Sequence, residues 1–278
     1  MITAGIDIGT RTAKAVILGQ NGILASEIRP VDDSVSRVSR RILKSALKKA
    51  GVRRGKLRCV SATGYGRKNV KVADLHFTSP ICIAKAAYYL DKEVHTVIDI
   101  GGIITCVVQI GKNGSVLDYI ENEKCASGSG RFLEMIAEAM EIPLEEIGPI
   151  SLKSAQPLNL SSQCVVFAES EIISHVNANE KPEDILAALH RSIAEKAFTL
   201  AKKVAFKPPT AVIGGVAKNT GVVHFLEQTL VSENRNLPED PQIISALGAA
   251  LLAREGNNRV RTRIKSPFDC LLKTDKGQ

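Results

Sequence analysis

Two stretches of the chain are copies of one pattern: GIDIGTRTAKAVILGQNGILA at residues 5–25 and VIDIGGIITCVVQIGKNGSVL at residues 97–117. Aligning Asp7 with Asp99 superimposes them at a constant offset of 92 residues (99 − 7). Each copy reads as a buried strand, an Asp-x-Gly turn, a second strand, an Asn-Gly hairpin turn and a third strand. Helical patterns follow both copies, at residues 34–50, 80–91, 129–141 and 165–177. The duplication predicts an α/β fold of two lobes, each with a mixed sheet, facing one another across a cleft.

The predicted lobes take up nearly the whole chain. The first lobe spans residues 1–93 and is completed by residues 244–265, the second spans 94–243, and 266–278 form a tail. The segment SALGAALLAREG at 245–256 alternates small and large apolar residues, which is typical of a tightly packed helix. We expect this helix to close back onto the cleft.

The overall composition is that of a globular protein. Hydrophobic residues make up 44% and charged residues 24% of the 278 positions, which excludes disordered, collagen-like and disulfide-scaffold classes. No apolar run approaches the ~20 residues that span a bilayer, and the N-terminus enters a strand where a signal peptide would have its apolar core. Six cysteines are too sparse for a secreted disulfide framework. We therefore expect a cytoplasmic protein with no membrane association.

The net charge of +8 is concentrated in one segment. Thirteen Lys or Arg residues lie between Asp33 and Asp74, from Arg37 to Lys71, with no acid among them. Part of this segment reads as an amphipathic helix, with cations opposite an apolar face of Val38, Ile42, Leu43, Ala46 and Leu47. A solvated face and a docking surface for an acidic protein both fit this pattern. Nucleic acid is not expected as a partner, because the stretch contains no binding motif and only Tyr65 as an aromatic residue.

The two Asp-x-Gly turns carry the chemistry. A carboxylate at the end of a strand can hold Mg²⁺ directly or through water, and the glycines beside it let backbone N–H groups approach phosphate oxygens. We expect Asp7 and Asp99 to face each other across a triphosphate, with Asp7 on Mg²⁺. The first turn adds Gly9, Thr10, Thr12 and Lys14 as donors and charge, and the second turn adds Gly101 and Gly102.

A third element, TAVIGGVAKNTGVVHFLEQTL at residues 210–230, reads as a buried strand, a Gly-Gly turn and a helix. Gly214 and Gly215 would let an adenine ring or a ribose lie against the backbone. Lys218 and Asn219 stand where the helix begins, and N-terminal N–H groups favour anions. Together the motifs DIGT, DIGG and IGGVAKN resemble those of the superfamily of actin, hexokinase and the 70-kDa heat-shock proteins. That resemblance implies an ATP cleft between two ribonuclease-H-like lobes.

Two cysteines stand at predicted helix starts. Cys125 lies in KCASGSGRFLE and Cys164 in CVVFAESEIIS, and helix N-termini stabilise thiolates. Two thiols are half of a [4Fe–4S] site, which a twofold homodimer would complete. The spacing alone leaves open two unrelated buried thiols or a Zn²⁺ site shared between subunits.

These two motifs, with ATGYGR, VIDIGG and GGVAKN, resemble the BadF/BadG/BcrA/BcrD ATPase family from Gly5 to Ala253. The resemblance implies a homodimer or pseudo-symmetric heterodimer with one [4Fe–4S] cluster held by Cys125 and Cys164. It also implies that ATP hydrolysis moves the helices beside the cluster. An electron from ferredoxin or flavodoxin would then pass to a CoA-ester dehydratase or reductase at low potential.

One position departs from the dehydratase activators of this family. Their second turn usually continues Gly-Gly-Gln-Asp with a Lys soon after, whereas this chain reads GGIITC at residues 101–106. Ile103 therefore replaces the amide that would orient the attacking water. Three outcomes stay open: hydrolysis is slow, it uses Glu169 or Glu171 if they reach the cleft, or it is shared with a dissimilar partner subunit. The alternatives are an ATPase subunit of a benzoyl-CoA-reductase-type complex, a small-molecule kinase of the same superfamily and a nucleotide-sensing module.

Overall fold

The computed structural model describes residues 1–122, 128–156, 158–160, 164–230 and 234–256. Its first sheet has the strand order β3-β2-β1-β4-β5. Its members are β1 (Ile2–Ile8), β2 (Thr12–Leu18), β3 (Ile23–Pro30), β4 (Leu57–Thr63) and β5 (Leu75–His76). β1, β2 and β3 form an antiparallel meander, and β4 and β5 extend it in parallel.

The second sheet repeats this topology, with the strand order β8-β7-β6-β9. Its members are β6 (Thr96–Ile100), β7 (Thr105–Ile110), β8 (Val116–Glu121) and β9 (Thr210–Ile213). β6, β7 and β8 form the meander, and β9 joins β6 in parallel as β4 joins β1. The prediction of two mixed sheets built from duplicated hairpins is confirmed.

Eight α-helices connect and cover the sheets in the described part of the chain. They are α1 (Val35–Lys49), α2 (Ser79–Leu90), α3 (Gly130–Ala139), α4 (Leu144–Ser151), α5 (Val165–Asn177), α6 (Pro182–Lys203), α7 (Thr220–Leu230) and α8 (Ile244–Gly256). The four helices predicted to follow the two repeats are confirmed near their expected bounds. No helix in these residues is both long and apolar enough to cross a membrane.

Three apolar clusters show how the layers stack. The outer face of the first sheet packs on α1, and the outer face of the second packs on α3, α4, α6 and α7. The inner faces of both sheets share a third cluster with α2 and α8. Because side chains alternate along a strand, Asp7 and Asp99 lie on these inner faces. The two sheets therefore present both carboxylates toward the space between them.

Helix α8 packs tightly on β1, as the sequence predicts. The Thr3 hydroxyl donates to the Ala250 carbonyl oxygen at 2.9 Å. A side chain at Gly5 would overlap the backbone of Ala246, so only glycine allows the strand and the helix to approach this closely. The C-terminal helix thus contributes to the first sheet's core, while the lobe boundaries themselves stay a prediction.

Helix α1 is the amphipathic element expected in the basic segment. All five predicted apolar residues are buried against the first sheet. Several cations on its opposite face pair with acids just before or beside the helix: Arg37 with Asp33 at 3.1 Å and Arg41 with Asp32 at 2.9 Å. Docking of an acidic partner on this face stays a prediction.

Candidate functional site

A cavity of about 550 Å³ opens between the two sheets at the ends of β1 and β6. Thirteen residues were predicted to bind or process nucleotide, and all of them except Glu169 line this cavity. They are Asp7, Gly9, Thr10, Thr12, Lys14, Asp99, Gly101, Gly102, Gly214, Gly215, Lys218 and Asn219. The structure thus brings three distant motifs to one place, and the individual roles stay predictions.

The same backbone hydrogen bond closes both duplicated turns. The Gly9 amide donates to the Thr12 carbonyl oxygen at 3.0 Å, and the Gly101 amide donates to the Ile104 carbonyl oxygen at 2.9 Å. Both pairs obey the 92-residue offset. Each turn therefore presents glycine backbone to the cavity immediately after its carboxylate.

A second pair of equivalent glycines follows β4 and β9. Gly64 has φ +85° and Gly214 has φ +89°, a region that favours glycine. A Cβ at Gly64 would overlap the carboxylate of Asp7, and a Cβ at Gly214 would overlap that of Asp99. The lack of side chains at these two positions makes room for both carboxylates. Gly214 was predicted from the sequence but Gly64 was not. The segments that contain β4 and β9 share no sequence pattern that would have linked the two glycines.

The electrostatics of the two carboxylates differ. Lys14 lies opposite Asp7 on β2, and its Nζ is 3.1 Å from Asp7 Oδ2 with both side chains largely buried. The residue opposite Asp99 on β7 is Cys106. Burial raises the pKa of Asp99 to about 7, although Lys14 nearby lowers it; Asp7 and Glu121 raise it further. The second lobe therefore lacks a counterpart for Lys14.

The third wall of the cavity is the turn between β9 and α7. The Asn219 side chain accepts a hydrogen bond from the Val222 amide at 3.0 Å, so Asn219 caps α7. Lys218 Nζ lies 2.7 Å from Asp240 Oδ2 in a half-exposed ion pair. The Gly214 amide donates to the Pro241 carbonyl oxygen at 3.0 Å, which holds the turn against the segment before α8.

The second turn is hydrogen-bonded to both sides of the segment that contains Cys125. The Asn122 side-chain amide donates to the Ile103 carbonyl oxygen at 3.1 Å, and the Thr105 hydroxyl donates to the Gly128 carbonyl oxygen at 2.8 Å. At the start of α3, the amide of Gly130 donates to the Gly101 carbonyl oxygen at 2.9 Å. The second turn and the start of α3 are therefore connected by direct hydrogen bonds.

Comparison with known proteins identifies the family. Residues 4–253 match the BadF/BadG/BcrA/BcrD ATPase family over most of the chain. The chain belongs to the BadF/BadG/BcrA/BcrD ATPase family. The resemblance inferred from the motifs is thereby confirmed.

Individual members of this ATPase family extend the comparison. A 2-hydroxyisocaproyl-CoA dehydratase activator from Clostridioides difficile is 38% identical, covering 96% of this chain and all of that protein. A benzoyl-CoA reductase subunit from Thauera aromatica is 31% identical, covering 93% of this chain and 98% of that protein. The structure of the Clostridium difficile activator with bound ADPNP superimposes with a TM-score of 0.87 at 37% identity, covering 96% of this chain and 100% of that one. The expected actin-like fold is confirmed.

Several cavity residues of this family member were not predicted from its sequence. The main ones are Arg11, Glu121, Glu134, Glu145 and Gln242. Arg11 of the first turn forms an ion pair with Glu134 of α3 at 2.9 Å, which links the two lobes across the cleft. Glu121 of β8 pairs with Cys106 of β7, and directly opposed residues point to the same face of a sheet. Both residues therefore line the cavity. Neither arrangement leaves a local signal in the sequence, since the partners meet only in the fold.

The cysteines have different environments. Cys164 is exposed and occupies the N-cap position of α5, as predicted, whereas Cys125 lies outside the described residues. Cys82 and Cys106 are buried and Cys59 is partly exposed. In the described part of the chain, no three His, Cys, Asp or Glu side chains converge into a metal site.

Glu169 lies on α5 and is not among the residues that line the cavity. Its helix begins at the exposed Cys164 and not at the nucleotide turns. The geometry therefore offers no direct support for Glu169 as the residue that positions water, and this role stays a prediction.

Proposed function

We propose that this chain is an ATP-driven electron donor that activates a CoA-ester dehydratase or reductase. Two copies of the chain would share one [4Fe–4S] cluster through Cys125 and Cys164, receive an electron from ferredoxin or flavodoxin, and pass it on when ATP is hydrolysed. The family and the names of its dehydratase-activating members support the partner class. The match to a structure with bound ADPNP supports ATP as the nucleotide.

The hydrogen bonds around the second turn carry this proposal. Asn122, Gly128 and Gly130 flank the Cys125 segment. Asn122 and Gly130 are hydrogen-bonded to the turn that would face the phosphates, and Gly128 is hydrogen-bonded to Thr105, the first residue of β7 after that turn. A shift of this turn by nucleotide must move the start of α3, because these bonds connect rigid backbone elements. Helix α3 in turn packs beside α5 in a shared apolar core, so the movement would reach Cys164.

The described residues fit a cluster shared between two chains. Cys164 is an exposed, free thiol at the N-terminus of a 13-residue helix, and it makes no side-chain capping hydrogen bond. The first N–H groups of a helix stabilise a thiolate and can donate to sulfur. When bound, such a cluster would supply a one-electron carrier whose potential depends on charge, hydrogen bonding and exposure.

The surface of α5 supports a dimer. Four large apolar side chains on or near its outer face are strongly exposed, and they begin within one turn of Cys164. They are Val166, Phe167, Ile173 and Val176, which are 65%, 67%, 42% and 38% exposed. Exposed apolar patches of this kind mark protein contacts. We therefore place the subunit interface on α5.

In the cleft, the chain's own residues would hold Mg²⁺·ATP between the two turns. The carboxylate of Asp7, already oriented by Lys14, would face the metal, and the amides of the glycine turns would donate to phosphate oxygens. Gly214 and Gly215 would lie against the nucleoside. Closure of the sheets on the phosphates would exclude bulk water and pull on α3 through the second turn.

The first test is iron and ATPase analysis of protein purified without oxygen. We expect about four irons per dimer after anaerobic reconstitution, and ATP hydrolysis by that protein. Cys164→Ser should lose the iron and weaken the dimer, while Cys59→Ser, a matched change at a partly exposed thiol on β4 of the first sheet, should keep both. Full iron in the Cys164 variant would contradict the ligand assignment.

The Thauera aromatica relative is named as one subunit of a benzoyl-CoA reductase, which supports an arrangement of several subunits. We propose as the second candidate that this chain pairs with a dissimilar ATPase subunit. The loss of the usual amide at Ile103 also fits a subunit whose partner performs most of the hydrolysis. Sedimentation of the purified chain distinguishes the two arrangements: an iron-loaded homodimer supports the activator, and a monomer that takes up iron only with a second subunit supports the reductase type. A small-molecule kinase would instead bind no iron.

A further inference from the structure

Arg11 lies at the junction of the two phosphate turns. It follows Gly9 and Thr10 in the first turn, lines the cavity, and its side chain is 51% exposed. A Cβ built on Gly102 of the second turn would come within 2.5 Å of Arg11 Cγ and 3.1 Å of Thr10 Oγ1. The stem of Arg11 therefore crosses the cleft and rests on the second turn.

The guanidinium of Arg11 is held by a residue of the opposite lobe. Its terminal nitrogen lies 2.9 Å from one carboxylate oxygen of Glu134, and its Nε donates to the other at 3.4 Å. Glu134 also forms an ion pair with Arg131, with 3.1 Å between the guanidinium nitrogen and the carboxylate oxygen. Arg131 does not line the cavity. Glu134 belongs to α3, whose first amides are bonded to the second turn.

The other cavity cations are either held more firmly or lie on another wall. Lys14 is fixed by the largely buried Asp7 at 3.1 Å, and Arg67 donates to the Gly64 carbonyl oxygen at 3.1 Å. Lys218 lies at the third wall, paired with Asp240. The pair between Arg11 and Glu134 is half-exposed, and such pairs are weak enough to exchange partners. A guanidinium also matches a phosphate in two-pronged geometry.

We propose that Arg11 exchanges Glu134 for the γ-phosphate of ATP and stabilises the transition state of hydrolysis. This inference rests on the proposed ATPase function. In the reaction, the oxygen of water bonds to the γ-phosphorus, the bond to the β–γ bridging oxygen breaks, and the proton of water leaves with the phosphate or to solvent. Arg11 neither takes nor gives a proton; it neutralises charge on the transferred group.

The composition of the second turn strengthens the argument. Phosphoryl transfer depends mainly on positioning and electrostatics, and an arginine that reaches the transferred group is worth about 10³- to 10⁵-fold in rate. Ile103 cannot orient water by hydrogen bonding, and Cys106 supplies no cation where the first lobe has Lys14. Arg11 is thus a half-exposed cation whose stem already lies against the second turn. Its release from Glu134 would also remove the ion pair between the first turn and α3.

The test compares Arg11→Ala with Arg131→Ala in the iron-loaded dimer. We expect Arg11→Ala to lower kcat for Mg²⁺·ATP at least about 100-fold while the affinity for a non-hydrolysable ATP analogue falls less than about tenfold. Arg131→Ala removes a cation from the same Glu134 outside the cavity, so its kcat should stay within about twofold of the parent protein. Arg11→Lys keeps the positive charge but lacks the planar guanidinium that binds a phosphate through two nitrogens. Its kcat should therefore be little higher than that of Arg11→Ala.

A second variant tests the ion pair between Arg11 and Glu134. Glu134→Gln should increase affinity for the analogue about two- to fivefold, because the carboxylate no longer competes for Arg11. This gain should vanish in an Arg11→Ala background. Hydrolysis by Arg11→Ala, or by Arg11→Lys if the alanine variant fails to fold, at the rate of Arg131→Ala would overturn the inference. Absence of ATP binding and hydrolysis in the parent protein would instead overturn the proposed function.

Discussion

The two duplicated turns are closed by the same backbone hydrogen bond but differ in charge. Asp7 and Asp99 lie one residue before the ends of equivalent strands, and equivalent turns follow those strands. Each carboxylate is accommodated by a glycine of positive φ that comes directly after the neighbouring parallel strand. Asp7 is paired with Lys14, whereas Cys106 leaves Asp99 without a cation across the strand. The comparison shows that two copies of one fold can keep the same strand and turn arrangement although only one of them has a cation opposite its carboxylate. In the proposed cycle, the other copy depends on cations that come with the nucleotide or from Arg11.

The largest effect should come from the shared geometry. Gly64→Ala and Gly214→Ala each place a Cβ against a carboxylate and a carbonyl oxygen at positive φ, so each should lower the free energy of unfolding by about 3 kcal/mol or more. Gly51→Ala is the matched control, since Gly51 also has positive φ (+65°) but no atom lies within 4 Å of its Cβ position. It should cost only about 1 kcal/mol. Urea unfolding measures all three, and a large difference between Gly64 and Gly214 would break the structural equivalence.

Replacing the two aspartates should change the free energy of unfolding in opposite directions. Asp7→Asn leaves the buried Lys14 ammonium without its partner and should cost about 3 kcal/mol at pH 8. Asp99→Asn removes a carboxyl whose pKa is raised to about 7 by burial, and it should stabilise the nucleotide-free protein at pH 8.

The sign for Asp99 follows from proton linkage. The pKa of the unfolded carboxyl lies near its ordinary value of 3.8, whereas the folded one keeps its proton to about pH 7. Across this window the folded state binds more protons, so stability falls as the pH rises and levels off above about 7. The gain from Asp99→Asn should therefore be present at pH 8 and absent near pH 4. Equal destabilisation by both variants at pH 8 would contradict the asymmetry.

A smaller effect should follow from restoring the missing cation. Cys106→Lys places an ammonium opposite Asp99, where the offset of 92 residues puts the counterpart of Lys14. We expect the pKa of Asp99 to fall and the loss of stability between pH 4 and 7 to shrink by about 1–2 kcal/mol. Cys106→Ala, which removes the thiol without adding charge, should leave the pH dependence unchanged. An unaltered profile in the lysine variant would show that Lys14 does not explain the difference between the lobes.

Features that are encoded locally or by repetition could be predicted from the sequence. The duplicated hairpins specified two mixed sheets, and turn chemistry located the glycines and carboxylates of the cleft. The replacement of Lys14 by Cys106 was visible in the same alignment, although its effect on Asp99 depends on burial, which one sequence does not contain.

Contacts between distant segments were not predictable in this way. Gly64 matches Gly214 only through the strand order β1-β4 and β6-β9, because no residue pattern links the two loops. Arg11 and Glu134 are more than 120 residues apart and meet only when the lobes face each other. Likewise, the hydrogen bonds from the second turn to Gly128 and Gly130 arise from how α3 docks on the sheet.

The most direct test of the proposed coupling is the midpoint potential of the iron-loaded dimer, with and without a non-hydrolysable ATP analogue. We predict a shift of at least about 60 mV in the parent protein, a tenfold change for one electron. Thr105→Val, which removes only the hydroxyl bonded to the Gly128 carbonyl oxygen, should retain iron and nucleotide binding but reduce that shift. Identical potentials with and without the analogue in the parent protein would contradict the account.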